Sequence, residues 1–165
     1  MKKFIVQVVF LLIAIGAGMF LYLNGNSQTI NLPFLPQSAR LTNLQINDNV
    51  FKVEVADTQA KRSKGLGGRQ SLEANEGMLF VFDKIDKHAF WMKGLSFPLD
   101  FVWIRDDTIV DILPNIQPPA KGLPDSALPI YSSKVPANKV LELNAGSIQK
   151  YDIKVGDLIK LTSPN

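Results

Sequence analysis

Residues Phe4–Leu23 read FIVQVVFLLIAIGAGMFLYL without a single charged side chain, and no other segment constrains the chain as strongly. About 20 residues at ~1.5 Å rise make ~30 Å of helix, the thickness of a bilayer's hydrocarbon core. Lys2 and Lys3 precede the run, and the next basic residue is Arg40. That bias predicts a cytoplasmic N-terminus with the rest of the chain on the far side of the membrane. The run exceeds the roughly 7–15 apolar residues of a cleavable signal peptide, and Asn24–Ser27 lacks a small-residue cleavage pattern. The expected organisation is therefore a cytoplasmic N-terminus at 1–3, a single-pass transmembrane anchor at 4–23, an extracytoplasmic tether at 24–39 and a folded domain at 40–165.

The residues after the anchor are numerous enough for one domain with its own core. The chain carries 18 basic and 15 acidic side chains, and two of the basic ones are Lys2 and Lys3, so the outer part is nearly neutral. It has no basic run, which sets nucleic acid aside as a partner. The absence of cysteine removes disulfides, thiolate chemistry and Cys-ligated zinc, so the domain must be held by packing. His88, the single histidine, cannot make a His-based zinc site alone. Asp106, Asp107 and Asp111 lack the spacing of a calcium loop. No metal or other cofactor is implied.

From Arg40 onward the apolar residues alternate. Leu44 and Ile46, then Phe51, Val53 and Val55, flank Asn47-Asp48-Asn49, which predicts a hairpin with one buried face. Asp57 or Thr58 is placed to cap a short helix over 59–64 that Gly65 ends. Met78–Phe82 is continuously apolar, as in a strand covered on both faces. Further strands are expected at 89–93, 98–104, 109–113, 139–143 and 158–162, and a helical turn capped by Ser147 runs to Tyr151. Six of the ten prolines fall in 114–136, which predicts a long loop serving as a cover or a lid. This pattern implies an all-β (mainly β) domain with one or two short helices, a jelly-roll-like sandwich or barrel behind the N-terminal anchor.

Pairing 89–93 with 98–104 around a loop at 94–97 places Phe90, Met92, Leu99, Phe101 and Trp103 on one face. Ala89, Trp91, Lys93, Asp100, Val102 and Ile104 take the other. Asp100 then sits among apolar neighbours and needs a partner, with Lys93 diagonal to it and Arg62 or Arg69 as further cations. Its two readings are a structural ion pair and a polar spot beside Trp91 suited to an amphipathic ligand such as a sugar. Glu142 is a second acid among apolar neighbours. With Asp100 it would form a carboxylate pair for acid–base chemistry, unless it is an ordinary edge-strand glutamate. Gly65–Gly68 is a poor phosphate loop, because no strand precedes it and no Lys-Ser/Thr follows.

The segments Arg62-x-x-Gly65-Leu66-x-x-Arg69, Gly77–Phe82, Phe90-Trp91-Met92-Lys93, Pro98-Leu99-Asp100 and Leu141-Glu142-Leu143-x-x-Gly146 resemble domain of unknown function 192. The resemblance spans about 44–162 and implies a mostly β, jelly-roll-like fold. The family often has Met where this chain has Gly67, and Asn-Thr where it has Gly94-Leu95. Shared charged positions map to Arg62, Arg69, Lys93, Asp100 and Glu142, which with Trp91 are the candidate ligand-binding residues; the resemblance supplies no reaction. Three functions remain open. The domain binds a small ligand or an envelope glycan, hydrolyses a substrate with Asp100 and Glu142, or serves as an accessory domain for an envelope protein partner. The single histidine and the lack of a catalytic motif weigh against an enzyme.

Overall fold

The computed structural model describes Leu12, Ile13, Phe20 and residues 40–163. The rest of the apolar run and the tether lie outside the described residues. Among those described, no helix is long and apolar enough to cross a membrane.

Seven strands form the domain: β1 (Leu41–Ile46), β2 (Asn49–Ala56), β3 (Glu76–Asp86), β4 (Leu99–Arg105), β5 (Thr108–Ile116), β6 (Ala137–Asn144) and β7 (Ile159–Thr162). Two short helices interrupt them, α1 (Gln59–Lys64) after β2 and α2 (Ser147–Lys150) after β6. The strands make one sheet in the order β5-β4-β6-β3-β2-β1-β7. The mainly-β expectation holds, but the strands share a single curled sheet rather than the two packed layers of a sandwich. Only β2 and β3 pair in parallel, because α1 and the segment after it carry the chain across between them. The two ends of this order come together through backbone bonds from each edge strand to the turn that precedes the other. Ile109 N–H donates to Asp157 O at 2.9 Å, Gly156 N–H to Ile109 O at 2.8 Å and Ile159 N–H to Asp107 O at 2.8 Å. These curl the sheet into a barrel.

The expected turn and cap chemistry accounts for the first half. Asn47 takes a φ of 52° between β1 and β2, a conformation Asn tolerates better than most residues. The Thr58 hydroxyl accepts from Lys61 N–H, and Gly65 N–H donates to Lys61 O where α1 ends.

Strand alternation divides the buried side chains between two cores. Leu44, Phe51, Leu79, Val102, Leu141 and Ile153 belong to the core inside the barrel. Met78, Phe80, Phe90, Phe101, Trp103 and Val140 belong to the core outside it. Strands β3, β4 and β6 are thus dry on both faces over much of their length, which explains the continuous apolar run at 78–82. Gly77 lets β3 approach β6 closely, since a Cβ there would lie 2.8 Å from the Glu142 carbonyl oxygen.

The expected hairpin over 89–104 does not form. Residues 89–93 make no strand, and Phe90 forms one isolated bridge with Tyr131. The alternation is real, since Phe90 and Met92 are buried and Trp91 is exposed. It reflects loop side chains anchored in the outer core. Gly94, at φ 69°, turns the chain away before a ladder can continue. Strand β4 pairs instead with β5 and β6, and Asp100 lies opposite Leu143. The 114–136 segment packs on the outer core through Ile116 and Tyr131.

Asp100 is completely buried and shares the inward parity of Val102 and Ile104. Its Oδ1 accepts from Asn115 N–H at 2.8 Å and its Oδ2 from Ile148 N–H at 2.7 Å. The expected cap at Ser147 is replaced: Gly146 occupies the cap position, and Asp100 reaches across the barrel to satisfy the first turn of α2. A side-chain carboxyl therefore ties β4, β5 and α2 together. Asp100→Asn puts an amide donor against one of these N–H groups. We expect a loss of about 2–4 kcal/mol, read as a lower urea midpoint at unchanged m-value; a loss below about 0.5 kcal/mol contradicts this role.

Candidate functional site

The strongest chemical feature lies on the outer face of β6. Alternation sends Leu141 and Leu143 inward, so Glu142 points outward, between Met78 of β3 and Phe101 of β4 in register. It is only 3% exposed, and among the described residues its carboxyl has no hydrogen-bond or ion-pair partner. Burial alone pushes it from the ordinary 4.5 up to about 8, since desolvation disfavours the charged form.

Glu142 lines a cavity of about 400 Å³. Phe80, Phe82 and Phe90 contribute aromatic wall, and Trp91, 47% exposed, stands among the lining residues with Arg62, Lys64 and Lys93. Two glycine-bearing loops supply the rest. Gly68 N–H donates to Gly94 O at 2.9 Å, and a Cβ on Gly94 would lie 3.7 Å from Gly67 Cα. The two positions at which the chain departs from the pattern of the family it resembles thus touch each other beside the cavity.

Two of the three cations are already engaged. Arg62 donates to the carbonyls of Asp57 at 3.0 Å and Val81 at 2.8 Å and lies over the Phe82 ring at 5.1 Å. Lys93 pairs with Asp125 and lies 5.7 Å from the Trp91 ring centre. The His88 ring stacks on Phe82 at 3.6 Å between centroids.

Of the six candidate residues, Arg62, Trp91, Lys93 and Glu142 line this one cavity, whereas Arg69 and Asp100 do not. Arg69 pairs with Glu54 at 2.5 Å. The expected contacts of Asp100 with Lys93, Arg62 or Arg69 are absent, because its carboxyl faces the barrel interior and bonds two backbone amides. The carboxylate pair of Asp100 and Glu142 is likewise not formed. Phe101, not Asp100, lies opposite Glu142, and the two acids leave the sheet on opposite faces. No residue of the 114–136 loop lines the cavity, although Asp125 holds Lys93 at its edge. Sequence reasoning missed Phe80, Phe82, Phe90 and Lys64 as walls; the two glycine-bearing stretches were the signal that backbone packs closely there.

The family model for domain of unknown function 192, described as an uncharacterized ACR, matches residues 42–161. The chain belongs to this family. No curated protein matches it. A crystal structure from Sinorhizobium meliloti 1021, described as that of a candidate transcription regulator, is 28% identical with a TM-score of 0.68, covering 77% of this chain and 98% of that one. A protein of unknown function from Novosphingobium aromaticivorans DSM 12444 is 29% identical with a TM-score of 0.67, covering 76% of this chain and 89% of that one. The DUF192 domain here thus shares its fold with two solved bacterial proteins.

The Glu142 shift makes stability depend on pH. The folded state holds the proton more tightly than the unfolded chain, so stability falls as pH rises from 4.5 to about 8 and then levels. At roughly 1.4 kcal/mol per unit, the whole effect is on the order of 5 kcal/mol. Glu142→Gln should track wild type near pH 5 and surpass it above pH 8 in thermal unfolding. Parallel stability curves across that range would contradict the assignment.

Proposed function

We propose that this DUF192 domain binds a small ligand of the envelope-glycan class in the Glu142 cavity. We propose further that Phe4–Leu23 anchors it in a membrane, with 40–165 on the extracytoplasmic side. The observation that carries the binding reading is the unpartnered carboxyl of Glu142 facing a cavity walled by aromatic rings. A protonated carboxyl both donates and accepts, which suits hydroxyl groups. Trp91 offers an exposed ring face for the apolar side of a sugar, in the manner of amphipathic ligand sites with few polar groups and much aromatic surface. Arg62, Lys64 and Lys93 add donors at the cavity's edge. The membrane reading rests on the uncharged length of 4–23 and on the Lys2-Lys3 bias before it.

The chain has two tryptophans, of which Trp103 is buried and Trp91 exposed. Titrating the full chain in detergent with glucose, N-acetylglucosamine and glucosamine should change the fluorescence of Trp91, and the response should vanish in Trp91→Phe. No response to any of them contradicts the binding reading. The full chain should stay with the membrane pellet in alkaline carbonate, and its release would contradict the anchor.

A further inference from the structure

We infer that the ligand of the Glu142 cavity carries a free protonated amine, as an unacetylated amino sugar does, and that the amine docks on Glu142 while the hydroxyl-bearing ring lies towards Trp91 and Lys93. The inference rests on the binding reading above and adds the chemical class of the ligand.

The register neighbours of Glu142, Met78 and Phe101, are apolar, and Phe80 and Phe90 are among the walls of the cavity it lines. The charged groups around the cavity are Arg62 and Lys64 from α1 and Lys93 from the 89–95 loop. Arg62 is held by two carbonyls and Lys93 by Asp125, and among the described residues none of the three cations, Lys64 included, pairs with Glu142, whose shift has burial as its one cause. A carboxyl at such a position lacks a cation, and aromatic faces beside it attract the same kind of group. An ammonium satisfies both at once. The cations elsewhere on the lining disfavour a ligand that is positive throughout. They favour one with a single amine and an oxygen-rich remainder. The cavity, at about 400 Å³, falls within the usual size of small-molecule sites.

Docking an ammonium requires Glu142 to ionise. Near pH 6.5 the free protein holds the Glu142 proton, and binding expels it to solvent as the ion pair forms. A neutral sugar that bonds the protonated carboxyl expels none. Proton release is therefore the signature that separates the two.

The test is calorimetric titration of the full chain in detergent at pH 6.5, in two buffers of different ionisation enthalpy. Glucosamine is compared with glucose and N-acetylglucosamine. We expect glucosamine to bind with release of close to one proton. We expect Glu142→Gln to weaken it at least tenfold, without comparable weakening of glucose. Binding of glucose or N-acetylglucosamine with no preference for glucosamine, or glucosamine binding without proton release, overturns the amine inference and leaves the binding reading standing. Failure of all three sugars to bind overturns both.

Discussion

Strands β3, β4 and β6 are covered on both faces, and the rest of the domain follows from that. A single curled sheet separates a core inside the barrel from a core outside it. A carboxyl on the buried stretches of these strands is cut off from bulk water, so it finds a partner or is pushed towards its neutral form. The two acids on adjacent strands solve the problem differently. Asp100 points inward and bonds two backbone amides, and by doing so secures α2 and the end of β5. Glu142 points outward, finds no partner, and is pushed towards the neutral form. One acid fastens the barrel; the other is left for chemistry at a cavity.

The outer core also explains where the cavity lies. It is covered by loops rather than by a second sheet, and the loops meet at glycines. Gly67, Gly68 and Gly94 bring two chain segments close enough for a direct backbone bond. Neither segment sends a side chain from those positions over Glu142. Helix α1 sits beside them, with Arg62 tied to β3 through the Val81 carbonyl. The cavity is therefore bounded by elements fixed in place by their own backbone bonds. A ligand entering it meets an aromatic wall, a carboxyl and an edge bearing cations, with little need for the frame to move.

Much of this was legible from local pattern. Alternation assigned Leu99, Phe101 and Trp103 to one face and Asp100, Val102 and Ile104 to the other, and the continuous run at 78–82 announced a strand buried on both sides. The cap at Thr58 and the turn at Asn47 followed from their side chains. Partner choice was not legible, because β4 pairs with β6 across a long proline-rich connection, and nothing local to 89–104 excludes a hairpin. The same limit hid the partners of Asp100: backbone amides carry no sequence signature. The cavity's residues come from α1, from two loops and from strands β3 and β6, so their convergence is a property of the fold. Four of the six candidate residues met there, and Arg69 and Asp100 did not.

The account stands on the protonation of Glu142 in the folded chain. Carbon-detected NMR of selectively labelled glutamate side chains, assigned through Glu142→Gln, follows that carboxyl directly as pH is raised. The account predicts that it titrates near pH 8, well above the other glutamates. A midpoint between about 4 and 5, the range of an unperturbed glutamate, would mean that the carboxyl is solvated or paired in solution, and the site as described would not exist.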